Sequence, residues 1–89
     1  MRTRRPDDHY EIEALTKGIR VLEALEGTRW EPVGVATIME RTYLPRDTVD
    51  RSLKTLRLNG YAMQVDGKWT IGRRFMRFAN SASRKEQVL

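Results

Sequence analysis

The sequence predicts a small, mainly helical domain that carries one β-hairpin. Apolar residues recur at helical spacing in segments that follow one another between residues 12 and 59. The pattern then changes to short β-rich runs on either side of Asp66-Gly67. With 89 residues, of which 39% are hydrophobic and 33% charged, the chain suffices for one compact domain and is too short for two.

The first helix is predicted to begin near Ile12 and to stop at Gly27. Thr16 is an alternative N-cap, and Gly18 weakens the first turns. The apolar residues that share one helical stripe are Ile12, Leu15, Ile19, Leu22 and Leu25, flanked by Val21 and Ala24. This spacing is typical of a helix that packs on one side.

Two further helices follow an extended segment. Because of Pro32, residues Trp30–Val33 cannot lie in the interior of a helix. This segment suits a short edge strand instead. The second helix opens at Gly34 and turns Val35, Ile38 and Met39 inward. Tyr43-Leu44-Pro45 breaks it, because a proline disfavours helical geometry at the residue before it.

The third helix, residues 46–59, is the most clearly predicted element. Val49, Leu53 and Leu56 form its buried stripe, while Asn59-Gly60 is a C-terminal stop. A short helix, a tight turn and a longer helix with a polar face make a helix-turn-helix.

Residues 61–72 are predicted to form a hairpin. Asp66-Gly67 favours a two-residue type I′ turn, since both central residues of that turn need positive φ. Ala62 then pairs with Ile71 and Gln64 with Trp69, and we expect Ala62 and Ile71 to cover the helical core. Trp69 is interpreted as a structural residue rather than a base-stacking one.

The resulting fold is a winged helix-turn-helix: a three-helix core, a two- to three-stranded wing sheet and a closing C-terminal helix. Phe75, Phe78, Ala79 and Ala82 share a face of that closing helix, predicted over 73–82. We expect a flexible basic arm over 1–10, the domain over 11–82 and a flexible tail over 83–89.

The net charge of +5 is concentrated in the second half of the chain. Residues 1–40 carry six Lys and Arg against eight Asp and Glu, a net charge of −2, whereas residues 41–89 carry eleven against four, a net charge of +7. Such a balance favours a polyanionic partner, although solvated surface charge is the alternative.

The composition argues against an enzyme, a metal site or a cofactor. The chain has no cysteine and one histidine, His9, which lies before the predicted domain. Glu11 and Glu13 do not converge with it on a helix, so a metal site there is not expected. No apolar run approaches a membrane span, and we expect a soluble protein of the cytoplasm, associated with the nucleoid.

Four segments resemble the DNA-binding domain of the IclR-type bacterial transcriptional regulators. They are Lys17–Leu25, Leu44–Leu56, Asn59-Gly60-Tyr61 and Trp69–Gly72, within a match over about residues 15–79. The family commonly has glycine where this chain has Tyr43, and small or neutral residues at Asp47 and Asp50. A tyrosine at positive φ costs on the order of 1 kcal/mol, so the turn is open to another shape.

The resemblance also implies a C-terminal ligand-sensing domain, for which these residues leave no room. We therefore expect either an excised domain or a small stand-alone regulator of bacterial or phage origin, with no small-molecule effector site in this chain.

The third helix is predicted to enter the major groove of double-stranded DNA. Arg46 or Arg51 suits guanine, and Asp47 or Asp50 suits the amino group of cytosine. Alternatively, Asp47 stabilises the helix N-terminus and Asp50 pairs with Lys54. The predicted phosphate contacts are Thr48, Lys54, Thr55, Lys68, Arg2, Arg4 and Arg5.

Sequence-specific DNA binding in transcriptional control is the leading functional hypothesis. The alternative is a winged-helix protein-interaction module, favoured by the acidic residues on the third helix. A homodimer on paired half-sites is expected, since the first and closing helices, the latter with Phe75, Met76 and Phe78, carry more apolar residues than one face needs.

Overall fold

The computed structural model describes the backbone of residues 10–88 and the side chains of residues 10–82. The helices are α1 (Glu13–Glu23), α2 (Val35–Thr42), α3 (Arg46–Leu58) and α4 (Arg73–Val88), and the strands are β1 (Ala62–Val65) and β2 (Lys68–Ile71). Their order is the one predicted from the sequence. Helix α4 continues past residue 82, where the sequence pattern placed its end.

The core forms where α1 and α2 pack on α3. Val21 and Leu25 of the α1 segment, Ile38 of α2 and Val49 and Leu53 of α3 are completely buried. Burying a side chain of this size contributes about 1.5 to 3 kcal/mol, so these residues are the main source of the domain's stability.

The apolar stripe of α1 is buried at one end only. Ala24 and Leu25 lie in the core, but Leu15 is 59% exposed and Ile19 is 46% exposed, with Ile12 exposed before them. The first half of α1 therefore leaves part of its apolar stripe in solvent, where Leu15 and Ile19 border an open groove between α1 and α3.

The hairpin has the predicted register. Ala62 pairs with Ile71 and Gln64 with Trp69 in an antiparallel ladder. Asp66 and Gly67 take φ values of 52° and 81°, as a type I′ turn requires.

The predicted edge segment joins the sheet through one residue. Val33 makes an isolated antiparallel bridge to Trp69, with N–O distances of 2.9 and 2.7 Å. Trp69 is buried, as the sequence predicted, and Ala62 is buried while Ile71 is half-buried. A buried polar contact, not predicted from the sequence, adds to this: the Thr70 hydroxyl donates to the Thr28 carbonyl at 2.7 Å.

The predicted stop at Asn59-Gly60 is confirmed. Gly60 has a φ of 85°, its amide donates to the Arg57 carbonyl at 3.0 Å, and the Tyr61 amide donates to the Leu56 carbonyl at 2.8 Å. These two bonds make a Schellman motif, which ends α3 and directs the chain into β1.

Candidate nucleic-acid interface

Hydrogen bonds join the end of α1, the end of α2 and the turn before α3. The Arg20 guanidinium donates to the Thr42 carbonyl, and Arg41 Nη1 donates to the Ala24 carbonyl at 2.8 Å. The buried Thr42 hydroxyl donates to the Ile38 carbonyl at 2.8 Å and accepts from the Leu44 amide at 3.3 Å. The ends of α1 and α2 are thus tied together where the turn begins.

Tyr43 closes the turn in a left-handed conformation. Its φ is 59° and ψ is 29°, and 90% of the residue is exposed. The sequence analysis left another shape open for this turn. The structure instead keeps the left-handed turn and places the tyrosine side chain in solvent beside the start of α3.

The predicted base-reading residues lie on the first half of α3. Arg46, Asp47 and Arg51 are exposed, and Asp50 is half-buried at the edge of the same face. All four side chains are therefore at least partly accessible from solvent.

Each of these arginines is paired with one of the aspartates. Arg46 Nε lies 3.8 Å from Asp50 Oδ2, and Arg51 Nη2 lies 3.7 Å from Asp47 Oδ2. The alternative pairing of Asp50 with Lys54 is therefore wrong in this structure, although Asp47 does lie in the first turn of the helix. Exposed pairs of this kind stabilise by about 0 to 1 kcal/mol, so DNA can displace them at little cost.

The predicted phosphate contacts on α3 flank this group. Lys54 and Thr55 are exposed and Thr48 is half-buried. The Thr55 hydroxyl donates to the Arg51 carbonyl at 2.9 Å, so it would have to break that bond before donating to a phosphate. Lys68 is exposed directly after the hairpin turn. Arg2, Arg4 and Arg5 lie outside the described residues.

Leu58 is a surface residue that the sequence analysis missed. It is 86% exposed and falls on a line with Asp47, Arg51 and Lys54 along the outer face of α3. An exposed leucine on such a face can contact a thymine methyl group. Leu58 follows Lys54 by one helical turn in the sequence, and this spacing could have placed it on the same face.

Arg57 connects α3 to the wing. Its Nη1 donates to Gln64 Oε1 at 2.9 Å, and its guanidinium carbon lies 5.7 Å from the centroid of the Trp69 ring. The sequence analysis gave Arg57 no role at the interface. Here it holds the hairpin against the last turn of the helix.

Along residues 10–88 no helix is long and apolar enough to cross a membrane. The described side chains also contain no group of three or more His, Cys, Asp or Glu residues placed to hold a metal ion. An open groove of about 740 Å³ lies between α1 and α3, bordered by Leu15, Ile19 and Leu56.

A three-helix core, a hairpin wing and an exposed, arginine-bearing third helix define a winged helix-turn-helix DNA-binding domain. The model of the IclR helix-turn-helix domain matches residues 14–66. The chain belongs to this family, whose domains bind DNA in transcriptional regulators. A search of curated protein sequences finds no match.

Solved structures of IclR-type regulators have the same fold. An IclR family transcriptional regulator from Brucella abortus matches with 29% identity and a TM-score of 0.71, over 84% of this chain and 29% of that one. HmgR from Pseudomonas aeruginosa matches with 24% identity and a TM-score of 0.71, over 80% of this chain and 30% of its own. An IclR homolog from Microbacterium hydrocarbonoxydans, complexed with 4-hydroxybenzoate, matches with 29% identity and a TM-score of 0.63, over 73% of this chain and 27% of that one.

The chain spans less than a third of the length of these structures. Their likeness to it therefore concerns the helix-turn-helix domain.

Proposed function

We propose that this chain binds double-stranded DNA sequence-specifically in transcriptional control, with the first half of α3 in the major groove and the hairpin as the wing. The observation that carries the proposal is the group of Arg46, Asp47, Asp50 and Arg51, which lies on the first half of α3 with three members exposed and Asp50 half-buried. Donors and acceptors on one rigid face are what direct readout of base edges needs.

The roles proposed for the side chains follow from their chemistry. Arg46 and Arg51 donate to guanine O6 and N7, and Asp47 and Asp50 accept from cytosine N4, each good pair discriminating by roughly 1 to 3 kcal/mol. The proposed phosphate contacts, which position the domain without reading sequence, are Thr48, Lys54, Thr55, Lys68, Arg2, Arg4 and Arg5.

Selection from a random duplex pool at low and moderate salt tests the proposal. We expect an enriched motif and a steep loss of affinity with salt. Arg51→Ala should weaken binding and relax the motif at one position, whereas Lys68→Ala should weaken binding to all sequences alike. If neither substitution changes binding, the interface is placed wrongly.

A second candidate function is docking of a protein partner through α3. The exposed carboxylate of Asp47, the half-buried carboxylate of Asp50 and the exposed Leu58 favour it, since phosphates repel acidic groups and apolar anchors suit protein interfaces. Little affinity for any duplex at low salt, together with a partner complex that survives nuclease, would favour this reading over DNA binding.

We further propose a homodimer that buries the exposed first half of α1. Leu15 and Ile19 border the groove beside α3, and a second copy would cover apolar surface that this chain leaves in water. Phe78, 68% exposed on α4, is a second candidate contact. Sedimentation of the wild type and of Leu15→Lys tests this: a monomer at high concentration in the wild type would contradict it.

This function requires neither catalysis nor a cofactor, metal or small-molecule effector in this domain. We also propose that the protein works in the cytoplasm of a bacterial or phage-infected cell, associated with the nucleoid, since DNA is its proposed partner.

A further inference from the structure

Four exposed arginines surround the junction between α3 and α4. Arg57 lies in the last turn of α3, and Arg73, Arg74 and Arg77 lie in the first turns of α4. Arg73 and Arg77 are four residues apart, which puts them on one side of the helix about one turn, or 5.4 Å, apart. We call these four residues the junction arginines.

Close backbone packing brings the two helix ends together. The Gly72 amide donates to the Tyr61 carbonyl at 2.9 Å, and the Arg74 amide donates to the Gly60 carbonyl at 3.0 Å. A Cβ placed on Gly60 would lie 3.2 Å from the Arg74 Cβ. Arg74 therefore leaves the backbone directly beside the end of α3.

The surface around this junction is concave and basic. Arg57 and Arg74 border a hollow of about 450 Å³ beside Gly60. Arg73, Arg74 and Arg77 border a second hollow of about 310 Å³ beside Gly72. No acidic residue among those described borders either one.

The charge balance here is opposite to that of the first half of α3. There, two arginines are paired with two aspartates, so the group carries no net charge. The ion pairs found among residues 10–82 do not involve any junction arginine. The strongest positive charge in the described part of α3 and α4 thus lies away from the base-reading residues.

We propose that the junction arginines bind backbone phosphates of the same duplex, outside the segment that α3 reads. This inference rests on the proposed DNA-binding function. Duplex DNA fits because a cluster of cations with no acidic neighbour matches a polyanion, and because Arg57 joins the cluster directly to α3 and to the wing through Gln64. The cluster supplies affinity that is independent of sequence and that the neutral base-reading group cannot supply.

The test compares a charge-removing with a charge-keeping substitution. Arg73→Gln with Arg77→Gln removes two phosphate-binding charges, whereas Arg73→Lys with Arg77→Lys keeps both, since lysine also binds phosphate. Arg29→Gln is a control outside the junction arginines, because Arg29 stacks on Trp30 in the loop after α1. Thermal melts check that each variant is folded.

Binding is measured by fluorescence anisotropy on two duplexes: one trimmed to the motif that selection enriches and one extended by about one helical turn, roughly 10 base pairs, at each end. On the long duplex the Gln variant should lose about 1.8 from the slope of log affinity against log salt, at 0.9 per phosphate. Between 50 and 200 mM salt its affinity should therefore fall roughly tenfold less than that of the wild type. The Lys variant and Arg29→Gln should keep the wild-type slope.

Three outcomes would overturn the inference. Equal slopes for the wild type and the Gln variant would exclude phosphate binding and would favour an acidic protein as the partner of this surface. An equal loss of affinity on both duplexes would show that the contacts lie within the enriched motif. Absence of DNA binding by the wild type would remove the proposed function itself, and this inference with it.

Discussion

Replacing Tyr43 with glycine should stabilise the domain. The left-handed conformation costs a residue with a Cβ about 1 to 2 kcal/mol, and glycine adopts it without that cost. Because the residue is 90% exposed, the substitution removes little packing. The greater freedom of glycine in the unfolded chain offsets about 0.5 to 1 kcal/mol.

The net gain is therefore about 0.5 to 1 kcal/mol, which corresponds to a rise in Tm of roughly 2 to 8 °C for a domain of this size. Urea unfolding followed by circular dichroism measures the free energy, and a thermal melt measures Tm. Tyr43→Ala is the matched control: it also removes the ring but keeps the Cβ, so its stability should stay within about 0.5 kcal/mol of the wild type.

Either of two results would refute this reasoning. A Tyr43→Gly variant less stable than the wild type would mean that the ring makes contacts that the exposed position excludes. A gain in Tyr43→Ala equal to that in Tyr43→Gly would mean that loss of the ring, and not relief of the backbone, is the cause.

Three further predictions concern the core, the wing junction and the reading face. Gly72→Ala should destabilise the domain by more than about 3 kcal/mol in urea unfolding, because its Cβ would collide with the backbone carbonyl of Gly60; wild-type stability would contradict the close approach. Leu53→Ala should cost about 2 to 5 kcal/mol by the same measurement, since the side chain is fully buried, and a loss below 1 kcal/mol would place it outside the core. Asp47→Asn with Asp50→Asn should raise affinity for random-sequence duplex severalfold at low salt, because two charges that phosphates repel are removed; unchanged affinity would mean that these carboxylates do not face DNA.

The turns of this fold could be predicted because single residues determine them. Asp66-Gly67 sets the hairpin register, since few residue pairs adopt positive φ at both positions. Asn59-Gly60 ends α3 because glycine accepts the left-handed conformation that a Schellman motif needs. Both signals are local, so they do not depend on how the rest of the chain packs.

What could not be predicted depends on contacts between distant segments. Helical spacing shows that Leu15 and Ile19 share a side of α1 with Leu25, but it does not show how far α2 and α3 extend along that side. The bond between Thr28 and Thr70 joins residues that lie 42 positions apart, so no local pattern indicates it.

In the candidate site, too, a contact could not be predicted from the sequence, although the residues concerned are only one helical turn apart. The exposure of Arg46 and Arg51 follows from the position of the buried stripe of α3. The ion-pair partner of Asp50 cannot be inferred from that stripe, because Arg46 and Lys54 are both one turn away and either could pair with it. Three-dimensional placement of the side chains was needed to choose between them.

The paired arginines and aspartates of α3 have a consequence for how quickly the protein finds its site. On an incorrect sequence the guanidinium groups stay with their aspartates, and the reading face adds almost nothing to the attraction between protein and duplex. On such a sequence the proposed phosphate contacts alone hold the protein, and they hold it alike at every position. In the proposed complex the partners separate only where guanines and cytosines meet both members of a pair, so dwell time itself distinguishes the operator from the rest of the genome.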